Sequence, residues 1–207
     1  MIKVLPNIYL ITDRHQTDNH RPLVDVVKEL LQAGVKMIQL REKDLSAAEL
    51  YPLAQELRSL TRSYNSLFLI NDRIDIALAV GADGVHLGGH SLPVKIARKI
   101  LGSDALIGAS THSAEEAESA QSQGADFITC GPVFLTPSKA PYGAPIGVES
   151  LQTICKTCNI PVYALGGIKA NNIRKTLQAG AHGVAMISAL LSSPEPIQAY
   201  QQITASF

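Results

Sequence analysis

Short apolar runs alternate with amphipathic segments along the whole chain. Four of the runs begin at or beside a glycine, and they lie at 33–40, 81–88, 124–131 and 180–187. Glycine favours the left-handed position that closes a helix, and a continuous apolar run suits a strand that is covered on both faces. Each of the four is therefore predicted to be a junction from a helix to a buried strand.

Further apolar runs lie between these repeats, at 8–13, 67–72, 106–111 and 161–167. Segments with helical periodicity follow the strands, including 23–33, 46–64, 113–123, 171–179 and 194–206. Alternating strands and helices predict an α/β fold with one parallel sheet, either closed or open. Eight repeats of about 26 residues favour a single (β/α)₈ TIM barrel. A flavodoxin-like open sheet, which needs only about five strands, is the alternative.

Length and charge limit the domain organisation and the partners. A chain of 207 residues suits one domain, since two would leave both halves small. Lys+Arg and Asp+Glu each number 18, so no net field draws the chain to nucleic acid or to a membrane surface. We therefore expect one domain, 1–207, with neither nucleic acid nor a membrane as a partner. The oligomeric state stays open, and a homo-oligomer is one possibility.

Three cysteines, an odd number, indicate reduced thiols and a cytoplasmic location. Cys155 and Cys158 have CxxC spacing, but no second Cys or His pair follows at zinc-finger distance. We expect two half-buried thiols near the end of a helix. Residues 1–13 lack the cleavage pattern of a signal peptide, and no apolar run approaches the roughly 20 residues that span a bilayer.

Polar residues are concentrated at the predicted carboxyl ends of the strands, where (β/α)₈ barrels build their active sites. In chain order they are Gln39, Arg41, Glu42, Lys43, Asn71, Asp72, Arg73, Gly88, Gly89, His90, Ser91, Ser110, Thr111, His112, Thr136, Ser138, Lys139, Gly166, Gly167 and Ser188. Nearby polar residues suit helix caps, namely Asp44 or Ser46, Ser113 and Asn171. His86, inside a strand, is expected to be structural.

Two features of this rim suit anions. Arg41 and Lys43, with Lys139 from a distant loop, combine a planar fork with point charges and indicate a pyrophosphate clamp. The loops after strands 7 and 8 form the recurring phosphate site of this barrel, and here they carry Gly166, Gly167, Ile187 and Ser188. The glycine- and proline-rich stretch 135–147 is also expected to be functional.

Six motifs together resemble thiamine phosphate synthases and their close relatives, the thiazole tautomerases. The resemblance runs from Ile11 to about Leu190 and is carried by Gln39-Leu-Arg-Glu-Lys43, Ile70-Asn-Asp-Arg73, Gly84-Val-His-Leu-Gly88, Gly108-Ala-Ser-Thr-His112, Gly131-Pro-Val-Phe-Leu-Thr-Pro-Ser-Lys139 and Ala164-Leu-Gly-Gly-Ile168. It implies the barrel and a reaction. Hydroxymethylpyrimidine diphosphate loses pyrophosphate, and the nitrogen of a thiazole phosphate attacks the resulting cation.

The resemblance also implies roles for individual residues. A Mg²⁺ ion and the cations Arg41, Lys43 and Lys139 would neutralise the departing pyrophosphate. Ser110 and His112 complete the expected catalytic group. The pyrimidine diphosphate is expected beside Gln39, Asn71 and Ser110. The thiazole is expected beside Thr136 and Ser138, with its phosphate on Gly167, Ile187 and Ser188.

One position departs from the synthase pattern. Synthases usually carry Gly-Gln-Glu-Asp-Leu after strand 4, and that Asp joins the strand-3 Asp as a Mg²⁺ ligand. This chain has Gly88-Gly-His-Ser-Leu92, so the expected metal site consists of Asp72 and Ser91. Mg²⁺ is held by one or two carboxylates together with substrate phosphates, so the site is expected to be weakened but usable.

Two alternatives remain beside a synthase. Thiazole tautomerases also lack that Asp, and in one of them His112 would act as the acid and base. They tend, however, to lose the residues that stand here as Gln39, Lys43 and Asn71-Asp72. The other alternative is a non-catalytic protein that binds thiazole phosphate or thiamine phosphate. The retained cations and Asp72 favour the synthase.

Lys139→Ala is expected to reduce synthase turnover strongly and to leave the fold intact. A lysine at the rim carries charge for a ligand and makes no contribution to core packing. Steady-state kinetics measures the loss, and circular dichroism checks the fold. Unchanged turnover would remove Lys139 from the site.

Overall fold

The computed structural model describes residues 5–136 and 144–207. Parallel strands close into a barrel in the order of the sequence, with the first strand paired to the eighth. They are β1 (Ile8–Ile11), β2 (Met37–Leu40), β3 (Leu67–Asn71), β4 (Gly84–Leu87), β5 (Leu106–Thr111), β6 (Phe127–Cys130), β7 (Val162–Leu165) and β8 (Gly183–Met186). The predicted closed (β/α)₈ barrel is confirmed, and the open-sheet alternative is wrong.

Helices follow the strands and surround the barrel. They are α1 (Leu23–Ala33), α2 (Ala47–Ser63), α3 (Ile74–Val80), α4 (Val94–Leu101), α5 (Ala114–Ser122), α6 (Gly147–Thr157), α7 (Ile173–Gln178), α8 (Ser188–Leu191) and α9 (Pro196–Thr204), with 3₁₀ turns at Arg14–Gln16 and Asp18–His20. In the described part of the chain, no helix combines the length and the apolar character that crossing a membrane requires. The assignment of residues 1–207 to one domain stays a prediction.

The repeated glycine junctions work as predicted, and the structure adds a reason for the residues that follow them. Gly34, Gly81, Gly124 and Gly180 all have positive φ at the ends of helices. In two repeats an Asp stands two positions after the glycine, and its carboxylate ties the neighbouring strand to a helix. Asp83 Oδ2 accepts from Phe68 N and Arg58 Nη1, at 2.9 and 2.7 Å. Asp126 makes the equivalent bonds one repeat later.

The predicted helix caps are partly correct. The Ser46 and Ser113 side chains accept from N–H groups in the first turns of α2 and α5, and Ser46 forms a full capping box with Glu49. The cap predicted at Asn171 is wrong, because Asn172 holds that position and its Oδ1 accepts from Lys169 N, before the helix. Asp44 is not a cap either, because it pairs with two residues that follow β1.

Two apolar clusters fill the molecule, one on each side of the strands. Alternate strand residues face the helices, and the others fill the barrel interior. Inside, the rings of Tyr9, Phe127 and Tyr163 pack against one another with centroids 5.5 to 5.8 Å apart. This aromatic layer fills the barrel interior below the carboxyl ends of the strands.

Gly108→Ala is expected to destabilise the barrel. A Cβ at Gly108 would lie closer than 3.0 Å to Phe127 Cζ and His86 Nδ1, inside the aromatic layer. Overpacking of this kind costs about 1–3 kcal/mol, which urea denaturation would measure. Gly89→Ala is the matched control, because a Cβ there meets nothing within 4 Å. Equal stability of the two variants would contradict this account of the interior.

Candidate functional site

A cavity of about 670 Å³ opens at the carboxyl ends of the strands. It brings together every predicted catalytic and substrate-binding residue that the structure describes, namely Gln39, Arg41, Lys43, Asn71, Ser110, His112, Thr136, Gly167, Ile187 and Ser188. Ser138 and Lys139 lie outside the described residues. Residues far apart in sequence therefore share one cavity, as the closed barrel predicts.

The predicted metal residues line a smaller cavity of about 250 Å³, which shares Lys43, Asn71 and Gly88 with the larger one. Asp72 is exposed there and has a φ of 64°, a left-handed conformation. Ser91 Oγ accepts from Gly88 N at 2.8 Å and closes the turn after β4. Asp72 and Ser91 thus face a common space beside the main cavity.

The oxygen ligands that line this side cavity are of the type that Mg²⁺ binds, but there are few of them. Across residues 5–136 and 144–207, no group of three or more His, Cys, Asp or Glu is arranged to hold a metal. Glu42 also lines this space, but Thr12 and Arg14 already bind its carboxylate. Mg²⁺ keeps several waters and uses substrate phosphates as ligands, so one carboxylate and one hydroxyl suffice only with such help.

A buried carboxylate orients the cationic loop after β2. Thr12 Oγ1 accepts from Arg41 N at 2.9 Å and donates to Glu42 Oε1 at 2.6 Å. Glu42 is 5% exposed, and its other oxygen accepts from Arg14. Arg14 also makes a bidentate pair with Asp44, and this pairing lowers the pKa of Asp44. The loop is held from β1, which fixes where the Arg41 backbone enters the cavity.

The cavity floor is polar although it lies on the aromatic layer. Gln39 Nε2 donates to the Tyr9 hydroxyl at 2.8 Å, which fixes the orientation of the amide. His86 Nε2 lies 3.0 Å from Ser110 Oγ and 3.3 Å from Thr129 Oγ1. His86 is buried, as a structural residue should be, but it also lines the cavity, which the sequence did not indicate.

His112 combines a structural contact with an exposed position at the rim. Its Nδ1 lies 3.1 Å from Glu116 Oε2, and its backbone N–H donates to the same oxygen at 2.7 Å. The ring is thereby oriented at the start of α5 and still lines the cavity. This arrangement suits a group that moves a proton at the rim as well as a simple helix-end contact.

The loops after β7 and β8 present backbone groups to the cavity. Gly166 and Gly167 have φ values of 94° and 66°. A Cβ at Gly167 would lie 2.7 Å from the Leu135 carbonyl oxygen, so only glycine fits where the loop after β7 meets the loop after β6. Ser188 begins α8, and the first N–H groups of a helix have no partner within it. Both loops line the cavity beside each other, as the predicted phosphate site requires.

The charge of the cavity wall is of one sign. Arg41, Lys43 and Lys169 line it, and among the described residues no Asp or Glu does. In a chain of zero net charge, this separation concentrates positive potential where an anionic ligand would enter. Sequence reasoning missed Lys169, and its only signal was a lysine placed directly after the Gly-Gly-Ile run.

Stability is expected to fall on acidification because His86 is buried as a neutral ring. Burial, assisted by the positive charge of Arg41, lowers its pKa from 6.5 to about 3. Between these values the unfolded chain binds more protons, so the contribution is complete above about pH 6.5 and is lost as the pH falls. From pH 7 to pH 5 the loss is about 2 kcal/mol.

Urea denaturation at the two pH values would measure this loss, and His86→Gln should reduce it by about 2 kcal/mol. An NMR titration of the imidazole in the unchanged protein is a second measurement that does not depend on the variant folding. A His86 ring that titrates near pH 6.5 would contradict the prediction.

Comparison with known proteins places this site in a family. A family profile described as "Thiamine monophosphate synthase" matches residues 8–190. A Geobacter sulfurreducens protein, provisionally named thiamine-phosphate synthase, is 55% identical over 95% of this chain and 92% of its own length. The thiamine-phosphate synthase of Clostridium novyi is 43% identical over 91% and 92%. The structure of thiamine phosphate pyrophosphorylase from Pyrococcus furiosus superposes with a TM-score of 0.88, at 40% identity over 97% and 94%. The chain therefore belongs to the thiamine monophosphate synthase family.

Proposed function

We propose that the protein is a thiamine-phosphate synthase, a transferase that joins hydroxymethylpyrimidine diphosphate to a thiazole phosphate and releases pyrophosphate. The observation that carries the proposal is the single cavity that combines cations after β2 with the loops after β7 and β8, including Gly167 and Ser188. A reaction between a diphosphate and a monophosphate needs two anion sites that face one reaction space. Relatives that are named as synthases support the same activity.

Departure of pyrophosphate is the step that needs most help from the protein. The carbon–oxygen bond to the diphosphate breaks, and its electron pair leaves with the pyrophosphate. Arg41 and Lys43 stabilise this developing charge, because cations fixed in advance in a cavity need no reorganisation at that moment. Lys139 is proposed to act with them. The thiazole nitrogen then donates its lone pair to the methylene carbon, and no protein nucleophile takes part.

Polar groups of the cavity floor hold the pyrimidine. The hydrogen bond to Tyr9 fixes the orientation of the Gln39 amide. The part of the amide that does not contact Tyr9 is available to bind the pyrimidine ring. Ser110 is oriented by His86, which stays neutral at physiological pH because of its low pKa. A neutral imidazole adds no positive charge beside the cationic intermediate. Asn71 extends this polar surface toward the diphosphate.

The thiazole phosphate is proposed to bind on the opposite side of the cavity. Its phosphate would rest on the backbone of Gly167, Ile187 and Ser188, with Thr136 and Ser138 beside the ring. Leu165 and Met186 line the cavity and supply the apolar surface that a heterocycle needs. Both heterocycles then meet above the aromatic layer, which excludes water from below.

Mg²⁺ would be held by Asp72 and Ser91 together with diphosphate oxygens. When bound, it neutralises charge on the diphosphate. The side cavity shares Lys43 and Asn71 with the main one, so a diphosphate reaching across this boundary meets the metal residues and the cations together.

The working environment is also part of the proposal. The substrates are small molecules, and the cytoplasm is the proposed location. Support comes from Cys130, Cys155 and Cys158, which are free cysteines, and burial raises the pKa of the first two to about 12 and about 11. Thiols with a raised pKa are poor nucleophiles and persist in a reducing compartment.

A thiazole tautomerase is the second candidate, because His112 lines the cavity and its ring is oriented by Glu116. One assay separates the candidates. The protein is incubated with both synthase substrates and Mg²⁺, and separately with the thiazole tautomer alone. Thiamine phosphate and pyrophosphate in the first mixture support the synthase. Isomerisation in the second, lost in His112→Ala, supports the tautomerase, and binding without turnover in either supports the non-catalytic alternative.

Ser91→Asp is expected to lower the Mg²⁺ concentration that gives half-maximal synthase rate. An Asp oxygen can still accept from Gly88 N, as Ser91 Oγ does, and the change adds a second carboxylate beside Asp72. Ser91→Asn is the matched control, because it has the same shape without the charge. Rate titrations with Mg²⁺ that coincide for Asp, Asn and the unchanged protein would rule out a metal at this position.

A further inference from the structure

Lys169 is a cation of the cavity wall that the proposed reaction has not used. Its side chain is exposed and lines the cavity two residues after Gly167. In residues 5–136 and 144–207, no carboxylate pairs with its ammonium group. By contrast, acidic partners hold Arg14, Arg58 and Arg98. Lys169 therefore presents charge to the cavity.

The backbone holds Lys169 in place although its side chain is exposed. Asn172 Oδ1 accepts from Lys169 N at 2.8 Å, and Asn172 Nδ2 donates to the Gly167 carbonyl oxygen at 2.9 Å. A third bond joins Asn172 N to Lys169 O. The intervening Ile168 is 6% exposed and anchors the loop in the core. One asparagine thus fixes Lys169 relative to the Gly167 backbone.

The position of Lys169 on the rim separates it from the other cations. In the closed barrel, β1 and β8 lie between β2 and β7. The strands β2 and β7 are therefore three strand spacings apart, or roughly 14 Å around the barrel. Arg41 and Lys43 follow β2, whereas Lys169 follows β7. The cavity therefore has two separate cationic sides. One suits the diphosphate, and the other faces the Gly167 and Ser188 backbone.

We propose that Lys169 pairs with the phosphate of the acceptor substrate and makes the cavity select the phosphorylated thiazole over the unphosphorylated alcohol. The inference rests on the proposed function. A phosphate monoester carries nearly two negative charges, and backbone N–H groups at Gly167 and Ser188 supply direction but no full charge. A lysine supplies a compact positive charge and three donors, and its bond to phosphate is charge-assisted.

Kinetics with two acceptor substrates tests this role. Lys169→Ala should raise the KM for the thiazole phosphate about tenfold, the loss of one charged hydrogen bond, while kcat changes little. With the thiazole alcohol, the variant and the unchanged protein should behave alike. Lys169→Arg should restore most of the affinity, and Lys175→Ala, an exposed lysine on α7, is the matched control. A Lys169→Ala KM equal to that of the control would overturn the proposal.

A second measurement decides the proposal even if the protein makes no thiamine phosphate. Inorganic phosphate is titrated into ¹⁵N-labelled protein while the amide signals of Gly167 and Ser188 are followed by NMR. We expect both signals to shift, with half-saturation about tenfold higher in Lys169→Ala and unchanged in Lys175→Ala. Equal half-saturation in both variants, or no shift of these amides in the unchanged protein, would overturn the role of Lys169. Absence of turnover with this result intact would count against the synthase alone.

Discussion

Pairing of β1 with β8 is the constraint on which the site depends. This pair closes the barrel and brings the carboxyl ends of all the strands to one rim. Without it, the cationic loop after β2 and the phosphate loops after β7 and β8 would lie at opposite regions of an open sheet. Closure places the loop after β2 three strand spacings from the loop after β7 and two from the loop after β8, so all three loops line one cavity. The aromatic layer around Tyr9 fills the barrel below and keeps that cavity at the rim.

Electrostatic separation follows from the same geometry. The chain has zero net charge, but among the described residues no Asp or Glu lines the main cavity. Glu42 bonds Thr12 and Arg14, and Glu116 bonds His112, so these carboxylates orient the site without lining the main cavity. Burial keeps His86 neutral on the floor. Among the described residues, the Asp, Glu, Lys and Arg side chains that line the main cavity are therefore all cationic.

Much of the fold and site could be predicted because parallel strands buried on both faces leave a strong signal in sequence. The Gly-initiated repeats set the strand order, and the strand order placed Gln39, Asn71 and Ser110 at one rim. The repeats did not predict which side chains fill the barrel interior, because continuous apolar runs do not reveal which residues face inward. The link from Gln39 to Tyr9 depends on the pairing of β1 with β2. Lys169 was missed because an exposed lysine in a loop has the pattern of a solvated residue.

We propose that one cavity binds a diphosphate and a monophosphate on opposite sides. A crystal structure with thiamine phosphate and pyrophosphate tests it most directly. We expect pyrophosphate against Arg41 and Lys43, the thiamine phosphate group against Gly167 and Ser188, and the two heterocycles between them above Tyr9. Both anions on the same side of the rim, or either product bound outside this cavity, would contradict the account.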